Sequence, residues 1–263
     1  MARLFQFGVT GRAPEYREFF EFPSMSLHEM REWMADSDPQ TAIGLGAVVD
    51  EKSALAGEMV MLNGTAYMIG TDGIPTNIPE NYRILFAQIG YMEPQKKYSF
   101  SASNMHELKT KLADFLREDA SAQACMVRLT GSFPEITFRG CDAKGQKFSS
   151  LAETLNCPNA TKHFNHTGKI CSLVGFFSNL GAVDSDVTLE DTLHLHGIDA
   201  ATQSGGHVMD FKGETKLEVE IMPITQWLTS TREAQERIEY ANHTPRWTNR
   251  LMRCALENCT HAR

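Results

Sequence analysis

"LHLHGIDAATQSGGHVMDF" occupies residues 193–211. Leucine and histidine alternate in its first four residues. That is the period of a strand, with His194 and His196 on one face and Leu193 and Leu195 on the other. After an intervening loop, Gly205-Gly206 leads into a second apolar stretch, "HVMDF", which starts at His207. If the two stretches pair as neighbouring strands, three imidazoles converge on a rigid sheet. Three histidines with open positions beside them form the ligand pattern of catalytic zinc. Spacing by itself leaves zinc, copper, nickel and iron open. An H-x-H pair also arises by chance in a chain with nine histidines; the third histidine behind the double glycine sets this pair apart. His106, His163, His166, His243 and His261 lack such a setting and read as surface or structural groups.

The surrounding chain reads mostly as strands. Residues 41–49 ("TAIGLGAVV") are glycine-rich and β-like. Residues 57–73 ("GEMVMLNGTAYMIGTDG") read as a hairpin, because Asn63-Gly64 separates two apolar runs. Residues 83–92, 124–133, 135–141, 169–178 and 215–224 are further strand candidates. Residues 27–37 carry apolar positions at helical spacing. Residues 103–119 form an amphipathic helix that Ser103 can cap, with Met105, Leu108, Leu112, Phe115 and Leu116 on one stripe. The polar stretch 142–169 reads as loop with a short helix. Residues 231–241 and 247–259 read as helices. No internal repeat or low-complexity tract is present. The class is α+β, with mixed or antiparallel sheets and few helices.

Composition narrows the function. The chain has 263 residues, 42% of them hydrophobic, enough for a substantial core. Its formal net charge of −8 and lack of a long basic run argue against nucleic-acid binding. No stretch is apolar for long enough to span a membrane. None of the six cysteines forms a C-x-x-C pair, and the first residues show no signal peptide. These features predict a cytoplasmic protein with reduced thiols.

The histidine segment resembles the metal-binding segment of the bacterial α-acetolactate decarboxylases. Other pieces follow the family in order: the 57–73 hairpin, "MVRLTGSFPEITFRG" (126–140) and "GKICSLVGFFS" (168–178) are each similar to family segments. The resemblance covers roughly residues 41–211. It implies a two-domain α/β fold, divided near 1–140 and 141–263 with the active site between, and a homodimer. It implies zinc held by His194, His196 and His207, completed by Glu58, Arg139 and a C-terminal glutamate, for which Glu257 is the nearest candidate. It implies conversion of 2-acetolactate, a small 2-hydroxy-3-oxo acid, to acetoin and carbon dioxide, with the metal as Lewis acid on the ketone and hydroxyl oxygens. Two departures stand out. Ala47 follows "GLG" where the family carries threonine, and the stretch from Ala47 to Glu58 is longer than usual.

Without the resemblance, Glu58 reads as a solvated strand-end carboxylate and Arg139 as half of a surface ion pair. With it, Glu58 is the proton donor and Arg139 the fork that meets the substrate carboxylate. Arg128 reads as structural. Asp210 either orients a histidine or caps a turn. Two alternatives remain at this level: a metal-dependent ester hydrolase on a related scaffold, and a metal-binding relative without activity.

Overall fold

A computed structural model describes residues 3–7, 24–34, 39–91, 96–118, 124–178, 193–224 and 226–230. In chain order its elements are β1 (Arg3–Phe7), β2 (Met25–Ser26), α1 (Leu27–Trp33), β3 (Ala42–Val49), β4 (Leu55–Leu62), β5 (Thr65–Ile69), β6 (Pro75–Asn77), β7 (Arg83–Tyr91), β8 (Lys96–Ala102), α2 (Met105–Glu118), β9 (Ala124–Cys141), α3 (Leu151–Asn156), β10 (Thr161–Ser178), β11 (Leu193–Asp199), β12 (Gly205–Lys212), β13 (Thr215–Pro223) and β14 (Gln226–Ser230). The helices expected at 231–241 and 247–259 lie outside the described residues, as does Glu257.

The strands form two sheets. The first runs β14-β1-β7-β3-β4-β5-β6, with β2 also on β7. The second runs β10-β11-β12-β9-β13-β8, and β10 also pairs with β9. All ladders are antiparallel except β1–β14. Because β9, β10, β11 and β12 each pair with the next and β12 returns to β9, these four strands close a ring of ladders. The second sheet draws its strands from both sides of residue 140.

Apolar periodicity decides how the sheets stack. In β4, Met59 and Met61 join Met30 and Met34 beside α1, on the outer face of the first sheet. Val60 points the other way and packs with Ile43, Met126, Val174, Phe176 and Met222 between the sheets. On the far face of the second sheet, Leu108, Leu112 and Leu116 of α2 cover Val127, Leu129, Phe138, Leu193 and Leu195. The layers are therefore helix, sheet, sheet, helix, and the site lies between the two sheets.

Local chemistry accounts for several boundaries. Asn63 (φ 49°) and Gly64 (φ 75°) form the β4–β5 turn with both central residues in the left-handed region, as Asn-Gly predicts. Ser26 caps α1 through a capping box with Glu29. In α2 the cap is Asn104 rather than Ser103: Asn104 Oδ1 accepts from the Glu107 amide at 2.9 Å, while Glu107 accepts from the Ser103 amide.

Two readings of the sequence are corrected. Residues 124–141 are one 18-residue strand, not two. The expected strands divide at residue 134, but Pro134 falls after the β13 ladder (125–131) has ended and before the β12 ladder (135–139) begins, where the missing amide costs little. Residues 161–168 are strand rather than loop. Their polarity reflects an exposed outer stretch of β10, which pairs with β9 from Thr161 to Ser178 except at Gly168.

The double glycine before His207 has a steric cause. A Cβ on Gly205 would lie 2.5 Å from the Gly197 carbonyl oxygen, and one on Gly206 would lie 2.2 Å from that of Arg139. Gly206 also has φ +136°. Gly206→Ala is expected to lower stability by about 3 kcal/mol, seen as a lower urea midpoint with an unchanged slope. A midpoint equal to wild type would show that β9 and β12 can part to admit a methyl group.

Candidate metal centre

Register places the site. Arg139 on β9 pairs with His207 on β12, and His207 pairs with His196 on β11. Directly paired residues share a face, so the three side chains stand in one row. His194, two residues before His196, points the same way. The first sheet contributes a second row, with Glu58 on β4 opposite Ala47 on β3 and Ala47 opposite Phe86 on β7. The two rows face each other across the sheet interface.

The three imidazoles meet. His194 Nε2 lies 3.1 Å from His196 Nε2 and 3.2 Å from His207 Nδ1, and the last two are 3.3 Å apart. Nitrogens sharing one tetrahedral zinc, each about 2.0–2.1 Å from it, stand about 3.3–3.4 Å apart. His194 and His196 are buried and His207 is partly so. Burial pushes all three pKa values down, with mutual proximity and Arg139 adding to it for His194 and His207. For His196 the carboxylate of Glu58 and the Met59 carbonyl partly oppose the shift. Neutral imidazoles are what a metal requires.

The Met59 carbonyl does more. It lies 2.8 Å from His196 Nδ1, so that nitrogen carries the proton and donates across the sheets. Nε2 is left as a bare lone pair aimed at its two neighbours. A buried acceptor left without a donor costs about 1–3 kcal/mol, and with the neighbouring imidazoles in the tautomers that turn His194 Nε2 and His207 Nδ1 inward as acceptors, all three nitrogens face one point. A divalent cation satisfies all three at once, and the donor set fits one.

Glu58 and Arg139 flank the cluster. Glu58 is 7% exposed and lies in the middle of β4, so it is not a solvated strand end. Its Oε1 accepts from Arg139 Nε at 3.2 Å and Nη2 at 3.0 Å, and its Oε2 lies 3.7 Å from His196 Nε2. Burial disfavours the Arg139 charge, but Glu58 and Cys141 together hold the guanidinium above its usual pKa. A cavity of about 30 Å³ opens here, with an apolar wall of Ala47, Leu55, Phe86, Leu151 and Leu155. Phe86 stacks on His194 with the ring planes 11° apart.

Sequence reasoning missed Phe86, the α3 leucines and Cys141, whose Sγ lies 3.3 Å from Glu58 Oε1. Cys141 sits two residues after Arg139, a spacing that places both on one face. Phe86 and the α3 leucines carry no local signal. Other candidates fall outside the site. Arg128 bonds Glu220 and Asn63 beside a groove of about 400 Å³ that no histidine lines. Asp210 neither orients a histidine nor caps the turn after it. It accepts from the amides of Phe211 and Met105, tying β12 to the start of α2. The alpha-acetolactate decarboxylase family model matches residues 39–242.

Individual relatives agree with that match. An alpha-acetolactate decarboxylase of Brevibacillus brevis is 26% identical over 185 residues, covering 70% of this chain and 61% of its own. One from Methanosarcina mazei is 28% identical over 171 residues, covering 63% and 56%. The chain thus spans about three fifths of the length of these curated relatives. The crystal structure of the alpha-acetolactate decarboxylase of Bacillus subtilis strain 168 superposes with TM-score 0.61 at 16% identity, over 87% of this chain and 88% of that one. A Staphylococcus aureus protein of unknown function similar to alpha-acetolactate decarboxylase gives 0.63 at 16% identity, over 90% and 92%. At that identity the likeness is one of fold.

Protein purified without a histidine tag is expected to hold about one divalent metal per chain, measured by elemental analysis. The His194→Ala/His196→Ala double variant is expected to lose it, while His106→Ala keeps it. Unchanged metal in the double variant would place the ion elsewhere.

Proposed function

The chain belongs to the alpha-acetolactate decarboxylase family, and from that premise we propose that it converts 2-acetolactate to acetoin and carbon dioxide with zinc at His194, His196 and His207. The observation that carries this reading is the convergence of three imidazole nitrogens within 3.3 Å of one another beside the Glu58–Arg139 pair. A divalent metal bound there supplies Lewis acidity to the ketone and hydroxyl oxygens of the substrate.

The protein's own groups do the rest. The substrate is an anion and the chain is net acidic at −8, so a local cation must receive it. Arg139 spends Nε and Nη2 on Glu58, which leaves Nη1 for the substrate carboxylate. When the bond to that carboxylate breaks, its electron pair stays on the remaining carbon. The Glu58 carboxylate takes up one proton from solvent in each turnover and passes it to that carbon, which completes acetoin. The apolar wall of Ala47, Leu55, Phe86, Leu151 and Leu155 takes the methyl groups and keeps bulk water from the carbanionic centre. Ala47 adds no hydroxyl to this wall, so orientation rests on Arg139 and the metal.

Two variants test the roles. Glu58→Gln is expected to keep its metal and lose about 100- to 10,000-fold in acetoin turnover; near-normal turnover would remove Glu58 from proton transfer. Arg139→Lys keeps the charge and loses the fork, and is expected to lower kcat as well as raise KM. A rise in KM alone would confine Arg139 to binding, and unchanged kinetics in both Arg139→Lys and Arg139→Ala would exclude it.

A further inference from the structure

The proposed chemistry uses Glu58 but leaves the buried thiol beside it without a task. Cys141 is 0% exposed, with Sγ 3.3 Å from Glu58 Oε1 and 3.6 Å from Thr161 Oγ1. The Thr161 hydroxyl donates its one proton to the Thr154 carbonyl at 3.0 Å, so it meets the thiol as an acceptor. The thiol therefore has one proton and two acceptors, a hydroxyl and a carboxylate. A carboxylate is the stronger acceptor. Burial, reinforced by the nearby charge of Glu58, pushes the thiol pKa up, so Cys141 stays an S–H donor rather than a nucleophile.

The two oxygens of Glu58 are consequently unequal. Oε1 takes Arg139 Nε, Arg139 Nη2 and Cys141 Sγ. Oε2 takes none of these and faces His196 at 3.7 Å. Arginine alone does not enforce this arrangement. Its fork prefers to engage both oxygens of a carboxylate, one nitrogen on each. A turn of the Glu58 carboxylate into that pose would draw Oε2 away from the histidines. A third donor fixed on Oε1 opposes the turn. Cys141 is itself held, since Thr161 is anchored to α3, whose Leu151 and Leu155 line the cavity.

We infer that Cys141 is a positioning residue: its S–H bond locks the Glu58 carboxylate so that Oε2 is the oxygen that carries the proton to the reacting carbon. This rests on the reading of Glu58 as proton donor in acetolactate decarboxylation.

The test compares wild type, Cys141→Ala and Cys141→Ser in the metal-loaded full chain. Loss of one hydrogen bond to a charged group predicts that Cys141→Ala loses about tenfold in kcat, with KM, metal content and urea midpoint little changed. Cys141→Ser restores a donor and recovers most of the rate. Equal rates for wild type and Cys141→Ala, or a Cys141→Ser variant as slow as Cys141→Ala, would overturn the proposal. A second readout needs neither substrate nor metal: the infrared S–H stretch of Cys141, isolated as the difference between wild type and Cys141→Ser. It is expected below the frequency of the other thiols and to rise in Glu58→Gln. A band that does not move in Glu58→Gln would also overturn it. Wild type that forms no acetoin while the band shifts as expected would fail the functional reading and the proton-carrying role, and leave the contact standing.

Discussion

The register at one point of the second sheet governs the centre. Arg139, His207 and His196 are successive partners across β9, β12 and β11. A slip of one residue in β12 would turn His207 into the α2 core and bring Gly206 or Val208 into the row, because side chains alternate faces. Gly206 allows the true register by letting β12 lie against the Arg139 carbonyl. The bond from His196 to the Met59 carbonyl then ties this row to the first sheet and fixes the tautomer that leaves Nε2 bare. Neither sheet holds the whole constellation. The histidines and Arg139 come from one, Glu58 and Phe86 from the other.

This division explains what the sequence could disclose. The alternation of Leu193 to His196 and the glycines before His207 are local features: they put His194 and His196 on one face and start a second strand at His207 that brings the third imidazole in once the two strands pair. The Asn63-Gly64 turn and the α2 stripe were legible for the same reason. The environments of Glu58 and Arg139 were not. Taken alone, each looked solvated, because nothing near Glu58 in sequence reveals that the second sheet covers it. The resemblance to a family supplied what periodicity lacked. Phe86 and α3 entered the site only through sheet stacking. The errors have physical causes as well: the division expected at residue 134 falls in the gap between two ladders, and the polar residues of β10 suggested a loop where a long ribbon faces outward.

Among the described residues only the second sheet supplies imidazoles to the cluster, so the cluster and the contact between the sheets are separable. Packing between the sheets rests on Ile43, Val60, Met126, Val174, Phe176 and Met222 and asks nothing of a metal. The Glu58–Arg139 pair and the His196–Met59 bond cross the same boundary. The contact between the sheets is therefore built without the imidazole cluster, and Cys141 touches Glu58 without touching a histidine.

The sequence distances in these contacts carry a kinetic meaning. Glu58 and Arg139 are 81 residues apart, and Met59 and His196 are 137 apart. Contacts between such remote segments incur their loop-closure entropy before they return any stabilisation, and they form late. The hairpin at Asn63-Gly64 and the β9–β10 ribbon can assemble early from nearby chain. The ring of β9 to β12 can close only after β12 has emerged and found β9. The centre is thus among the last parts of the molecule to exist during folding, and a chain arrested earlier would display β9 with an unpaired edge, open to association with other chains.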